Sequence, residues 1–144
     1  MSYKTSSVAP TKFGFGEGPL WDDRRQRLIF ADCFAKKVVQ YCPKTGVLES
    51  KLVPLDYIPY FAVAVPYVNS SKFLIAGYDK LIEWDWDNET DSRILYDINK
   101  QNPNYSDKNP ATFSDSKCDA QGRLWTGTYV AEDIGKQQVK KNAG

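Results

Sequence analysis

Apolar and polar residues alternate in short runs along this chain, and the runs end in turns rich in Gly, Pro, Asn and Asp. The clearest run is Leu81-Ile82-Glu83-Trp84-Asp85-Trp86, whose period of two puts both indoles on one face and both carboxylates on the other. Similar runs at 28–32, 37–41, 47–53, 60–65, 72–76 and 92–97 predict strands separated by tight turns. Residues 112–119 and 123–129 flank the turn Ala120-Gln121-Gly122, a hairpin signature. The plan repeats. Arg27-Leu28-Ile29, Lys72-Phe73-Leu74 and Arg123-Leu124-Trp125 each set a basic residue at the entrance of an apolar strand, 45 (27 to 72) and 51 (72 to 123) residues apart. Self-similar β units at roughly 40–50 residues have the period of propeller blades.

The expected fold is therefore all-β, a partial β-propeller of about two and a half to three blades, with no helix longer than two turns. Residues 1–144 form one domain: a loose arm (1–12), blade one (13–54), blade two (55–98), the inner half of blade three (109–129) and a tail (130–144). The indoles of Trp84 and Trp86 read as packing between blades rather than as a ligand cage. The stretch 99–109, with four asparagines, reads as a polar loop. After 130 the strand pattern stops, as though the chain were cut inside a longer repeat array. Unclosed edges of that kind predict self-association, with Trp125 and the 61–65 run among the exposed apolar material.

Charge and composition narrow the chemistry. A net charge of +1 gives no electrostatic case for nucleic acid or an anionic membrane, and the basic run at 136–141 reads as a solvated loop. The apolar stretch 58–68 is broken by Pro59 and Pro66 and is too short to span a bilayer. Three cysteines, Cys33, Cys42 and Cys118, without Cys-x-x-Cys spacing fit a reducing, cytoplasmic setting. Histidine is absent, which removes Ser-His-Asp and Cys-His catalysis and His-ligated metals. What remains is carboxylates, lysine, hydroxyls or an oxygen-ligated cation. Glu17 stands out, set between Gly16 and Gly18, where missing side chains would let a ligand approach closely.

Taken in order, Gly16-Glu17-Gly18-Pro19-Leu20-Trp21-Asp22, the pair Leu28-Ile29-Phe30-Ala31-Asp32 and Lys37-Val38, and Phe113-Ser114-Asp115-Ser116-Lys117-Cys118-Asp119 with Gly122-Arg123 and Gly127-Thr128 resemble the regucalcin/gluconolactonase family, also called senescence marker protein. The resemblance runs from about residue 13 to 135. It implies a six-bladed propeller with a divalent metal (Ca²⁺, alternatively Zn²⁺ or Mn²⁺) at the channel mouth, and metal-assisted hydrolysis of sugar lactones. By the same resemblance Glu17 matches a metal ligand, and Thr112, Ser114 and Glu132 fall at substrate-contacting positions. Thr112 and Ser114 stand where the family has an arginine and an asparagine; Asp115 and Lys117 keep its pattern. Counterparts of the remaining metal ligands are missing, so no complete catalytic set is expected within these residues. Three readings follow from the resemblance: part of a lactonase, a non-catalytic calcium-binding regulatory relative, or a structural propeller fragment.

Overall fold

The computed structural model describes residues 3–8, 11–105 and 110–130. Among these residues ten strands form three antiparallel sheets. The first holds β1 (Gly16–Asp22), β2 (Arg27–Asp32), β3 (Lys37–Tyr41) and β4 (Leu48–Leu52); the second β5 (Val63–Pro66), β6 (Lys72–Gly77), β7 (Lys80–Asp85) and β8 (Ser92–Asp97). The third is a hairpin of β9 (Ala111–Cys118) and β10 (Leu124–Val130). Every strand pairs with its sequence neighbour, so each sheet is a meander, and the whole is an all-β partial propeller: two four-stranded blades and the hairpin of a third. The helix among the described residues is one turn, α1 (Ile98–Gln101). Among those residues no helix is long and apolar enough to cross a membrane.

One local device recurs at three turns. An aspartate near a strand end turns its carboxylate back onto the next backbone N–H groups, an Asx turn that replaces the lost ladder bonds. Asp22 accepts from Arg24 N and Arg25 N at 3.1 and 3.3 Å, and Asp85 from Asp87 N and Asn88 N at 2.9 and 3.4 Å. Asp119 accepts from Gln121 N and Arg123 N, both at 3.0 Å. In the turn after Asp119, Gly122 supplies the positive φ of 78°.

The hydrophobic material lies between consecutive sheets. Ile29 and Val38 of the first sheet meet Phe73, Ile75, Ile82 and Trp84 of the second, with Val53, Leu55, Ile58 and Phe61 from the connecting segment. A smaller cluster of Val63, Ala76, Ile98, Ala111 and Phe113 joins the second sheet to the hairpin. Trp84 is fully buried and donates its indole N–H to Glu89 O at 2.9 Å. Trp86 meets it edge to face, rings 6.0 Å apart, and lies beneath the Lys51 ammonium of the first sheet. Both indoles thus pack between blades, as the alternation suggested.

Two expectations need correction. The 61–65 run is not exposed: Phe61, Val63 and Ala64 are buried, because the segment entering the second sheet is wedged against the first. Its strand begins at Val63 rather than at residue 60. Ala62 N still reaches Ala76 O at 3.2 Å, but Pro59 has no N–H to extend the ladder further back. The polar stretch after 98 also opens with α1, capped by Asp97, whose carboxylate accepts Lys100 N at 3.2 Å. Within α1, Asn99 pairs its amide with both backbone groups of Ala111 (2.8 and 3.2 Å), standing in for a strand neighbour where β9 begins. The tail 130–144 lies, except for Val130, outside the described residues.

Candidate functional site

The first strands of the three sheets pack side by side, β1 on β5 and β5 on β9. Glu17 sits in β1 beside a register irregularity that spans Glu17 to Leu20. Gly18, φ 59°, has no room for a side chain: a Cβ there would lie 2.6 Å from Ala62 O and 3.3 Å from Val63. A Cβ on Gly16 would meet only the Phe30 ring at 3.9 Å. The glycine after Glu17 is therefore set by the close approach of two blades, not by ligand access.

Glu17 faces a cavity of about 390 Å³ that it shares with Ser114 and Asp115 of β9. Aromatic rings make up much of the remaining wall: Phe15 and Phe34 from the first blade, Tyr60 ahead of β5, and Phe113 and Tyr129 from the hairpin. Backbone and side-chain bonds hold these elements in place. The Asp32 carboxylate accepts Gly14 N and Phe15 N at 3.3 and 3.2 Å, and Cys33 N donates to Phe15 O at 2.9 Å. Phe113 N donates to Tyr78 O at 2.6 Å, fixing β9 against the second sheet. The Tyr60 and Tyr129 hydroxyls are bonded to one another, and Tyr60 also contacts Thr112 Oγ1 at 3.2 Å.

Electrostatics divide the wall into neutral and acidic parts. Burial, reinforced by the Glu17 and Asp32 carboxylates, pushes the Cys33 thiol up to about 12, so it stays a protonated, unreactive thiol. Burial likewise raises the Tyr60 phenol to about 12, with Tyr129 adding to the rise against the Thr112 bond. Glu17 and Asp115 supply the charge. Among the described residues neither carboxylate is engaged by a hydrogen bond or ion pair. In two larger clefts, of about 670 and 760 Å³, most carboxylates are instead engaged, Asp87 of the second excepted. In those, Asp22 is tied to Arg25, Asp119 to Arg123, and Glu49 to Arg27.

The structure brings Glu17 and Ser114 onto one cavity. It sets Thr112 behind the wall, fully buried, with its hydroxyl on Tyr60. Lys117 reaches across to donate to Pro19 O at 2.8 Å. Glu132 lies outside the described residues. Tyr60 and Tyr129 were not singled out from the sequence, where aromatics at strand ends read as core. Tyr129 faces Thr112 only because the hairpin register shifts between Thr126 and Thr128, which the alternation does not reveal. The oxygen donors of Glu17, Asp115 and Ser114 suit a hard cation in kind. In number they fall short: among the described residues no group of three or more His, Cys, Asp or Glu is placed to hold a metal ion, and Ca²⁺ takes about 6–8 oxygens.

An antiparallel propeller sheet array with an acidic, aromatic cavity at its inner strands defines the class. Residues 15–143 match the model of the SMP-30/gluconolactonase/LRE-like region, and the chain belongs to that family. It is 26% identical over 143 residues to regucalcin of Xenopus laevis, and 27% identical over 143 residues to human regucalcin. It is 27% identical over 129 residues to the putative sugar lactone lactonase YvrE of Bacillus subtilis. These alignments take in 99%, 99% and 90% of this chain but 44%, 44% and 40% of the relatives, so the chain spans about two fifths of their length. Among solved structures, a luciferin-regenerating enzyme matches with a TM-score of 0.69 at 25% identity, over 84% of this chain and 38% of that one. A calcium-binding protein, regucalcin from Agrobacterium tumefaciens, matches with a TM-score of 0.64 at 18% identity, over 87% of this chain and 38% of that one. Both neighbours are six-bladed propellers.

Proposed function

We propose that this chain carries the acidic inner wall of a cyclic-ester hydrolase, with Glu17 and Asp115 as its working carboxylates. The observation that carries the reading is that these two unengaged carboxylates share one cavity in a family whose members include a putative sugar lactone lactonase. A carboxylate at hydrogen-bond reach of a water can take its proton as the water oxygen attacks the lactone carbonyl carbon. The ring C–O bond then breaks, and the leaving oxygen receives that proton to give a hydroxy acid. A divalent cation (Ca²⁺, Zn²⁺ or Mn²⁺) belongs to the family reading; the described residues do not complete its coordination, so no step is derived through it. Ser114 is the substrate-contacting hydroxyl of the proposal, which also includes a cytoplasmic setting, supported by three cysteines without Cys-x-x-Cys spacing.

The test is lactone hydrolysis by the 144-residue chain with added Ca²⁺, Zn²⁺ or Mn²⁺, compared with Glu17→Gln and Asp115→Asn. Loss of a general base lowers kcat by about 10²-fold or more. Turnover unchanged in both variants overturns the assignment. A second reading, a non-catalytic calcium-binding relative, is favoured by the burial of Thr112, which leaves that position unable to contact substrate. Calcium binding lost in Glu17→Gln, without turnover in the parent chain, selects it.

A further inference from the structure

The cleft of about 760 Å³ lies between the first two sheets and shares no residue with the Glu17 cavity. Its wall comes from those two sheets and their turns, all of them among the described residues. Gln40 of β3 is part of that wall. It shares a strand face with Val38, which is fully buried in the core between the sheets, and its register partners are Ile29 and Glu49. An apolar side chain would be the stable choice there. Instead an amide is enclosed. Gln40 is only 6% exposed, and among the described residues no hydrogen bond engages its side chain. No fully enclosed side-chain nitrogen or oxygen among those residues lacks a partner, so the Gln40 amide atoms still reach open space, and the cleft is the space they reach. A nearly buried amide without a protein partner costs stability unless something enters to bond it.

The rest of the wall narrows what that is. Arg27 is closed on Glu49, and Arg25 on Asp22 and Ser70 O. Lys51, beside Trp86, is held by Trp86 O at 2.8 Å and by Glu89. Among the described residues the free charge left on this wall is the Asp87 carboxylate, which repels anions. Among those residues no group of three or more His, Cys, Asp or Glu is placed to hold a metal ion, and a single carboxylate does not make a cation site. Asn69, exposed and unengaged, adds a second amide, and the partly buried Trp86 adds apolar surface. An amide presents an acceptor and two donors in one plane. Adjacent hydroxyls of a sugar each donate and accept, so a diol pairs with both ends of such an amide while the C–H face of the sugar lies against an indole.

We propose that this cleft binds a neutral saccharide, with a vicinal diol on the Gln40 amide. Asn69 and Asp87 take further hydroxyls, and Trp86 takes the apolar face. The site is separate from the Glu17 cavity and does not depend on the chemistry proposed there.

The experiment uses the 144-residue chain and follows its amide and indole N–H resonances as D-glucose is titrated, with sodium gluconate as the anionic comparison. Glucose should shift the Gln40 side-chain amide and the Trp86 indole saturably, and gluconate should bind more weakly by about 5-fold. Gln40→Met keeps the length of the side chain and removes the amide. It should lower glucose affinity by about 10-fold, read at Asn69 and Trp86, while its urea midpoint equals or exceeds that of the parent. A midpoint lowered in Gln40→Met would mean that the protein itself satisfies the amide, and overturns the proposal. Glucose affinity unchanged in that variant, no saturable shift at Gln40, or shifts confined to residues of the Glu17 cavity overturn it as well. Gluconate bound as tightly as glucose overturns the choice of a neutral ligand.

Discussion

Gly18 and Ala62 hold the first two blades together by the absence of a side chain: a Cβ on residue 18 would stand 2.6 Å from the carbonyl oxygen of Ala62. That oxygen is backbone and cannot swing aside. Gly18→Ala therefore combines a clash with an unfavourable φ of 59°. The expected loss is about 2–4 kcal/mol, from roughly 1–2 for the left-handed conformation and the rest from blade separation. Gly46, φ 71° with open space around it, is the control, and Gly46→Ala should cost only about 1–2 kcal/mol. Urea denaturation of the two variants checks the difference; equal losses would mean the blades tolerate separation at Ala62.

Trp84 gives the second prediction. It is fully buried between the sheets and its N–H is bonded to Glu89 O. Trp84→Ala should destabilise by about 3–5 kcal/mol. Trp86→Ala should cost less, because Trp86 is only partly buried and lies at the edge of the same cluster. Denaturant midpoints of the pair decide, and the reverse order would contradict the packing described.

Much of this was legible in the chain. Period-two runs such as 81–86 specify strands because only that spacing gives one buried face, and the repeated basic-apolar entrances exposed the blade period. The burial of Phe61 was not legible: a run beside Pro59 and Pro66 looks the same whether a neighbouring blade covers it or not. At the site, Glu17 was marked by its glycine neighbours and by a family likeness, Ser114 by the likeness alone, and the two line one cavity. The location of Thr112 behind Tyr60 depended on β9 facing, which a register irregularity between Thr126 and Thr128 alters and alternation alone does not reveal.

The three thiols should label in a fixed order. Cys42, lowered chiefly by its bond from the Thr45 side chain, reacts first with a disulfide reagent near neutral pH. Cys118 is exposed, yet local burial and then Asp119 raise its thiol, so it follows. Cys33, buried and pushed up to about 12, reacts only on unfolding. Mass mapping of a labelling time course tests the order, and early modification of Cys33 would be incompatible with the closed cavity wall.

The hairpin turn should respond to acid. The Trp125 indole N–H, then the Arg123 backbone and guanidinium, hold the Asp119 carboxylate down at about 2, below its ordinary 3.8. A depressed carboxylate stabilises above its unfolded value, so this contribution is complete above 3.8 and disappears as pH falls toward about 2. The Trp125 indole N–H resonance should shift across that window. Asp119→Asn should abolish the shift, and high salt should weaken it at this exposed site. A resonance that ignores acid in the parent chain would refute the coupling.

The bond from Lys117 to Pro19 O joins residues 98 positions apart. Chain-closure entropy makes such a bond late: it forms only after both intervening sheets have condensed and brought β1 beside β9. The hairpin can zip on its own around Gly122, but its seat does not exist until then. The cavity, whose wall is drawn from the first sheet, the segment ahead of β5 and the hairpin, is expected to assemble after the sheets themselves. Lys117→Ala should leave the hairpin intact and lower the protection of β9 amides against hydrogen exchange, uncoupling formation of the third sheet from its attachment to the first.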